Sequence, residues 1–417
     1  MAAVSVRRGL AGLAGAGCGA LAQLALVVVV TRACPAGEAG AFFTVTALVL
    51  MVAGVAKLDA GNGLIYFVAR ARAARRPGIS GYVRAALLPP TVVAAGAAAV
   101  LWPRLGPLAA VLPVIVAADV LLAATRGFGT IRPTVLLDGM LTPLCQLAAV
   151  GVAALAGASP AGLALAWAAP YAPMLVLAAA GVRGRAPRGP YVPGTARELW
   201  RHTAPRSVAG AVQAVFQRVD IVIVALLAGP APAAVYTAAT RFKVVGQLAG
   251  QGLAQAVQPG LVRALAAGER ERAGELYQAA TVWLVVLTWP VWLAYAALAP
   301  WALRIFGPAY ASAAPVALVL AGTMMVATAC GMVDVVLTAA GHTGASLANL
   351  LVAVACTVLL DLALIPSHGA LGAVAGWSGG VIVKNLLPLW QLHHRYGLHP
   401  FGRHTLAALR VRGWAAA

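Results

Sequence analysis

The sequence predicts an all-α polytopic membrane protein with about twelve transmembrane helices in two six-helix lobes. The first observation behind this prediction is composition: of 417 residues, 62% are hydrophobic and 10% are charged, whereas a soluble domain carries about 25% charged residues. The second is that apolar runs of roughly 20 residues, the length that spans a bilayer, recur along the whole chain. The third is that basic residues collect between alternate pairs of these runs, which is the positive-inside pattern.

The apolar runs define the predicted spans and their orientation. The spans are 9–31, 40–69, 80–101, 108–124, 133–157, 161–181, 207–228, 233–260, 277–298, 314–340, 346–366 and 369–391. With the N-terminus inside, only Arg32, Arg104 and Arg304 among the basic residues fall in outer loops. We therefore expect a multi-pass protein of the bacterial cytoplasmic (inner) membrane with both termini in the cytoplasm.

The longest basic loop divides the predicted spans into six plus six. The resulting organisation is an N-terminal six-helix lobe at 1–182, a basic cytoplasmic linker at 183–206, a C-terminal six-helix lobe at 207–391 and a basic cytoplasmic tail at 392–417. The tail contains several histidines but no cysteine or carboxylate. We therefore interpret the tail as a segment that meets anionic lipid, not as a metal site.

Two predicted spans are expected to bend. The second contains Lys57 and Asp59, and the eighth contains a glutamine-rich stretch at 247–259 that ends in a proline. Polar and helix-breaking residues inside a span are tolerated where the backbone meets a cavity or a neighbouring helix. We expect both spans to depart from a straight helix at these positions.

The net charge of +19 does not indicate a nucleic-acid partner, because the basic residues lie between spans, where they set topology. The five cysteines are scattered without the spacing of metal ligands or of a disulfide framework. We therefore predict no nucleic-acid partner, no metal site and no cofactor.

Four charged residues fall inside the seventh and eighth predicted spans: Arg218, Asp220, Arg241 and Lys243. If the chain turns near residues 230–231, all four lie roughly 15–20 Å below the turn, near mid-membrane. Charge in the hydrocarbon region is costly and usually marks a functional site. Three cations against one carboxylate leave an excess of positive charge, which favours an anionic ligand.

Three motifs in the second half carry a resemblance to a known family. They are Gln217-Arg218-Val-Asp220-Ile-Val-Ile-Val followed by Val235-Tyr236-Thr-Ala-Ala-Thr-Arg241, then Ile305-Phe306-Gly307-Pro308-Ala-Tyr310, and then Asp361-Leu-Ala-Leu-Ile365-Pro366-Ser-His-Gly369-Ala-Leu-Gly372. In this order they resemble the polysaccharide flippases (O-antigen translocase type) of the multidrug/oligosaccharidyl-lipid/polysaccharide exporter superfamily. The first half matches mainly in topology.

The resemblance implies a fold and a function. The expected fold is a V-shaped exporter, and the expected function is to flip a polyprenyl-diphosphate-linked oligosaccharide across the membrane by alternating access, without enzymatic activity. The implied partners are the lipid-linked oligosaccharide and membrane lipids, with a polysaccharide polymerase or glycosyltransferases as further candidates. We expect the chain to act as a monomer.

Candidate substrate-binding residues follow from the chemistry of a diphosphate that bears sugars. Phosphate oxygens favour fixed cations and donors, and the candidates are Arg218, Arg241, Lys243 and, from the twelfth span, Lys384. Tyr236 and Gln217 are candidates for sugar contacts, and Asp220 is the counter-charge. The alternative is structural: Asp220 and Arg241 tie two helices together while Lys243 snorkels to the interface.

A second set of residues predicts an ion-coupling site. Asp220, Thr357, Asp361 and Ser378 offer hard oxygen ligands, and Thr357 and Asp361 share one helix face at i, i+4 spacing. The resemblance extends to the related lipid II flippases, which imply a sodium site on these helices, although Thr357 replaces the expected asparagine. Coupling to Na⁺ or H⁺ is therefore predicted, with the choice of ion left open.

Two other functions remain as alternatives. A cation-coupled multidrug antiporter of the same superfamily would favour acidic residues in the first lobe, but the first span contains none. A membrane glycosyltransferase or polymerase would need an extramembrane site with carboxylates or a base, but the outer loops are short and contain few of them (Glu38 and His368).

Overall fold

The computed structural model describes residues 2–74, 78–186 and 192–405, and their side chains apart from those of residues 2–14 and 245. The secondary structure of this part of the chain is helical, with no strand. Contacts divide the chain into two compact units, Met1–Val222 and Ile223–Ala417. This division does not test the predicted lobes, linker and tail, which stay predictions, and tail residues 406–417 lie outside the described residues.

The first unit is built from helices that follow one another closely. They are α1 (Ala2–Ala33), α2 (Ala36–Ala56), α3 (Ala60–Ala73), α4 (Ile79–Leu105), α5 (Val111–Gly127), α6 (Thr142–Leu155), α7 (Pro160–Ala168), α8 (Tyr171–Arg183) and α9 (Thr195–Phe216), with a π-helical segment at Thr134–Leu141 before α6. Helix α5 lies at the centre, because it packs against α2, α3, α4 and α8 and is buried on most of its faces.

The boundary between the units falls within α10 (Val219–Leu227). The second unit continues with α11 (Pro230–Thr240), α12 (Lys243–Ala266), α13 (Arg270–Arg304), α14 (Ala314–Ala329), α15 (Val333–Ala339) and α16 (Thr343–Tyr396). Here α13 packs against α12 and α14, and α16 packs against α11, α14 and α15. Tyr277 is fully buried in the core between α12, α13 and α15, and its hydroxyl donates to the Cys330 carbonyl at 2.5 Å.

Eight helical segments of the described chain are long and apolar enough to cross a bilayer. The bent pair α9–α10 would be a ninth. Two of these segments are double spans. Helices α4 and α5 are separated at Gly106 (φ 54°, ψ −138°), and α16 turns back at Gly369 (φ 53°, ψ −126°). A straight helix of 54 residues would be about 80 Å long, far more than a bilayer core of about 30 Å. Dividing both gives eleven spans by length and composition, and α11–α12 occupies the position of the predicted eighth span. The all-helical fold class with about twelve spans is therefore confirmed.

The reversal at Gly369 makes α16 an antiparallel helical hairpin with a first arm (343–368) and a second arm (370–396). The two arms meet through small residues, which allow close backbone approach inside a membrane. Gly372, Gly376 and Gly380 of the second arm pack on Leu364, Asp361 and Thr357 of the first arm. Near the open end, the amides of Asn349 and Gln391 exchange two hydrogen bonds of 2.9 Å each.

The expected bend in the second span is confirmed. Helix α2 ends at Ala56 and α3 begins at Ala60, and Leu58 and Asp59 between them adopt left-handed dihedrals with φ of 50° and 52°. This conformation is unfavourable for residues with a Cβ atom. The break therefore has to be held by surrounding contacts.

The expected bend in the eighth span was placed wrongly. Residues 247–259 lie inside the continuous helix α12, because glutamine is a good helix former and Pro259 is accommodated within the helix. The interruption comes earlier, at Arg241 and Phe242. The seventh span has an interruption that the sequence analysis did not predict: α9 and α10 are bent by 46° at residues 217–218.

Candidate functional site

The break between α2 and α3 in the first unit is held by side chains of α9. The Ser207 hydroxyl donates to the Leu58 carbonyl at 2.6 Å, and Arg206 Nε lies 3.0 Å from Asp59 Oδ2. The amide of Asn62 donates to Asp59 Oδ1 at 2.6 Å. Both left-handed residues therefore have polar contacts, and Asp59 connects two helices.

Lys57, directly before this break, forms an ion pair with α5. Its Nζ lies 2.9 Å from Asp119 Oδ2, and the two side chains are 40% and 26% exposed. The pair joins the end of α2 to the central helix of the unit. Its contribution is reduced by solvent, because both groups remain partly accessible.

We expect a double-mutant cycle between Lys57→Met and Asp119→Asn to give a small favourable coupling of at most about 1 kcal/mol, because the pair is partly solvated. The measurement is unfolding of the purified protein in detergent. A coupling of zero would mean that the ion pair does not help hold α2 against α5.

Three predicted site residues lie at the end of the first unit. Gln217 and Arg218 occupy the interruption between α9 and α10, where Gln217 is exposed and Arg218 is partly buried. Asp220, in the first turn of α10, is 1% exposed. One Asp220 oxygen accepts the backbone N–H of Ile221 at 2.9 Å. Arg218 and Asp220 lie two residues apart, on either side of the first residue of α10.

Lys243 in the second unit lies between two aromatic rings. It is the first residue of α12, and its Nζ is 4.5 Å from the centre of the Trp377 ring and 5.7 Å from the centre of the Tyr236 ring. Tyr236, on α11, is fully buried. Both distances are within the range of cation–π attraction. Two elements, α11 and the second arm of α16, thus fix the position of the Lys243 ammonium.

Arg241 and Lys384 are the other predicted cations of this unit. Arg241 is partly buried in the interruption between α11 and α12, where its N–H bonds to the Ala238 carbonyl three residues earlier. Lys384 is seven residues beyond Trp377, which places both on one face of the second arm about 10 Å apart.

The residues predicted to couple an ion are placed on several helices. Thr357 and Asp361 are 1% and 0% exposed and lie on the first arm of α16, against Gly380 and Gly376. No hydrogen-bond partner for Thr357 Oγ1 occurs in the described part of the chain. Ser378 lies on a different face of the second arm, where its Oγ is 2.7 Å from Thr323 Oγ1 on α14.

Sequence reasoning missed two features of the Lys243 site. Trp377 was not predicted, because a tryptophan in an apolar span gives no sign of a distant cation. Tyr295 of α13 was also missed: its hydroxyl donates to the Ala239 carbonyl at 2.7 Å, and its ring lies 4.3 Å from that of Phe242. Tyr295 thus contacts the interruption at 241–242, which directly precedes Lys243.

Within the described residues, no group of three or more His, Cys, Asp or Glu side chains could hold a metal ion. In the second unit the described residues hold the Lys243 ammonium between two aromatic rings, and a buried carboxylate, Asp361, lies on the first arm of α16.

A model of the MatE family matches residues 205–366, which is less than half of the chain. The matched region includes the interruptions at residues 217–218 and 241–242 and most of the first arm of α16. No curated protein sequence matches the chain.

Several solved structures match almost the whole chain. A multidrug resistance MATE family transporter of the MOP superfamily, in an inward-facing conformation, is 16% identical over 95% of this chain and 96% of its own, with a TM-score of 0.69. The lipid II flippase MurJ, in an inward closed conformation, is 10% identical over 93% of this chain and 89% of its own, with a TM-score of 0.71. A MOP superfamily transporter from Pyrococcus furiosus Vc1, described as having a binding pocket of reversed polarity, is 17% identical over 94% and 95%, with a TM-score of 0.59.

The sequence identities are low although the coverage is nearly complete. These matches therefore show a shared arrangement of helices. The multidrug transporter and the lipid II flippase match about equally well. The chain is a multi-pass membrane protein with the fold of the MATE transporters of the MOP superfamily, a fold similar to that of the flippase MurJ.

Proposed function

We propose that this protein is a transporter, not an enzyme, and that it flips a polyprenyl-diphosphate-linked oligosaccharide across the cytoplasmic membrane by alternating access. The observation that carries the proposal is the position of Lys243. Lys243 is the first residue after the interruption at 241–242, and its ammonium lies between the rings of Tyr236 and Trp377. Interrupted helices near mid-membrane are a recurrent feature of transporter binding sites.

The chemistry of the substrate supports this assignment. A diphosphate needs fixed positive charge, and Lys243 has Arg241 two residues before it and Lys384 on the helix arm that carries Trp377. Sugars pack on aromatic faces, and because Tyr236 and Trp377 are 0% and 7% exposed, a sugar would reach them only in another state of the alternating-access cycle. Gln217, Arg218 and Asp220 belong to the first unit and stay sequence predictions for headgroup contact and counter-charge.

We further propose that transport is coupled to Na⁺ or H⁺ through the first arm of α16. Asp361 is fully buried, and the buried Thr357 hydroxyl lies one helical turn away without a hydrogen-bond partner among the described residues. A buried carboxylate beside an unused hydroxyl is suited to a small cation or a proton. Asp220, in the first unit, and Ser378, whose Oγ accepts from Thr323, stay sequence predictions for this set.

We expect Asp361→Asn to uncouple transport from the ion, because the amide carries no charge and does not bind a proton in the physiological range. The measurement is flipping in proteoliposomes with imposed Na⁺ or proton gradients. Ser312→Ala, at an exposed hydroxyl, is the control. If transport by the wild type did not depend on either gradient, the coupling proposal would be wrong and the substrate proposal would be unaffected.

A cation-coupled multidrug antiporter is the second candidate, and the fold match to a multidrug MATE transporter favours it. The charges of the second unit argue for the flippase. A site for cationic drugs needs net negative charge, whereas the Lys243 site presents an ammonium and has Arg241 close by in the chain.

The deciding experiment uses the full-length protein in proteoliposomes. We expect flipping of a fluorescent polyprenyl-diphosphate-linked oligosaccharide to the opposite leaflet, and rescue of a strain that lacks its own polysaccharide flippase. In the same vesicles, cationic dyes should not be exported against an ion gradient. Dye export without lipid flipping would overturn the proposal in favour of the antiporter.

A further inference from the structure

A groove of about 640 Å³ lies between the C-terminal half of α3 and the N-terminus of α9. It lies entirely within the first unit and shares no residue with the sites described above. Tyr66, Arg70, Arg197 and Arg201 are among its lining residues. Its volume is in the range of small-molecule sites, which is roughly 300–1,000 Å³.

The groove carries an excess of positive charge. Its carboxylate, Glu198, is occupied on both oxygens: Oε1 lies 3.1 Å from Arg70 Nη1, and Oε2 accepts the Tyr82 hydroxyl at 2.5 Å. Within the described residues, Arg197 and Arg201 have neither an ion pair nor a hydrogen-bond partner, and both are exposed. Two guanidinium groups thus remain available at the groove.

These two arginines occupy an electrostatically unfavourable position. They are four residues apart on one face of α9, where like charges repel, and Arg197 is in the first turn, near the positive end of the helix dipole. Gly194, which precedes the helix with φ 90°, provides no side-chain cap for the first-turn N–H groups. An anion in the groove would offset the repulsion and accept from the first-turn N–H groups other than that of Thr195, which donates to the Val192 carbonyl.

Aromatic side chains also line the groove. The Tyr66 ring stacks on the His202 imidazole, with centres 5.0 Å apart and planes 15° apart. The Phe67 ring lies edge-on to both, with its centre 5.1 Å from Tyr66 and 5.6 Å from His202. Tyr66 is 49% exposed, so a polar ring can still pack on it.

We propose that this groove binds a phosphate ester of a hydroxylated ring, with the phosphate between Arg197 and Arg201 at the start of α9 and the ring on Tyr66. The groove is larger than a bare phosphate requires, and its aromatic side chains account for the remainder. This chemistry has two sources, a phosphoglycolipid headgroup in the bilayer or a soluble sugar phosphate. The proposal does not depend on the substrate assigned to Lys243.

The test uses the full-length protein in nanodiscs of neutral lipid. Glucose 1-phosphate is titrated by calorimetry as the soluble probe. Retention of phosphatidylinositol over phosphatidylcholine, measured by native mass spectrometry, is the lipid probe. Binding of either supports the site and identifies the source. Binding of neither by the wild type overturns the proposal.

The Arg197→Gln/Arg201→Gln variant removes both available guanidinium groups and leaves the Arg70–Glu198 pair intact. We expect binding of the active probe to weaken at least about tenfold, the effect of one lost charge-assisted hydrogen bond. The matched control is Arg183→Gln/Arg185→Gln, which removes the same charge from exposed positions outside the groove. Equal losses in both variants would show general charge attraction and would overturn the proposal.

Tyr66→Ala separates the two parts of the ligand. We expect this variant to bind the ring-bearing probe severalfold more weakly. Binding of inorganic pyrophosphate should be unchanged, because pyrophosphate has no ring to stack. Thermal unfolding of each variant shows whether the fold is kept. Unchanged binding of the ring-bearing probe by this variant would contradict the proposed orientation.

Discussion

Gly380→Ala should destabilise the protein by about 2–3 kcal/mol, the upper part of the range for overpacking. A Cβ atom at this position would lie 2.8 Å from the Ala353 carbonyl oxygen and would also meet the Thr357 hydroxyl. The obstacle includes backbone, so one arm of α16 has to move away from the other. Unfolding of the purified protein in detergent, by heat or by titration with a denaturing detergent, measures the change.

Gly322→Ala is the matched control for Gly380→Ala. It makes the same substitution in a helix of the same unit, α14, at an exposed position where nothing lies within 4 Å of the added Cβ. There the gain in helix propensity, up to about 1 kcal/mol, should leave stability unchanged or slightly raised. If the two variants unfolded alike, close packing of the α16 arms would not be a main source of stability.

Lys243→Gln should lower the rate of lipid flipping at least about tenfold while the protein still folds and reaches the membrane. The glutamine keeps a donor but loses the charge, and a hydrogen bond to a charged group contributes about 1.5–3 kcal/mol. Lys243→Arg should retain part of the activity, because the guanidinium can also bind phosphate. Initial rates in proteoliposomes at matched protein density give the comparison.

The control for Lys243→Gln is Arg263→Gln, which removes one positive charge from the exposed C-terminal end of the same helix. It should flip lipid like the wild type. A structural role for Lys243 would give a different pattern. In that case Lys243→Gln would lower the unfolding temperature and leave the rate per folded molecule unchanged, and the headgroup assignment would be wrong.

The fold could be predicted from the sequence because span length and the side of the basic residues are local properties. The reversals at Gly106 and Gly369 match the predicted boundaries between spans. The interruptions at 217–218 and 241–242 were not predicted, because Gln217, Arg241 and Phe242 keep right-handed helical dihedrals. Only the contacts of neighbouring helices decide where such a span bends.

The site was partly predictable for a similar reason. A charged residue inside an apolar span can be recognised from the sequence. Lys243 was therefore predicted as a site residue, together with Tyr236, which precedes it by seven residues. Trp377 lies more than a hundred residues away, and its contact with Lys243 depends on how α16 packs against α11. The groove at α9 was not predicted, because arginines between spans are also expected from the positive-inside pattern.

The left-handed pair Leu58 and Asp59 has a consequence for the time scale on which the first unit changes shape. Two such residues cost roughly 2–4 kcal/mol relative to helical ones, and the contacts from Ser207 and Arg206 offset a similar amount. Two forms of similar free energy, with the α2–α3 span bent or straight, should therefore both be populated at measurable levels. Their exchange, on the microsecond-to-millisecond scale of helix motions, would appear as two distances between spin labels on α2 and α3.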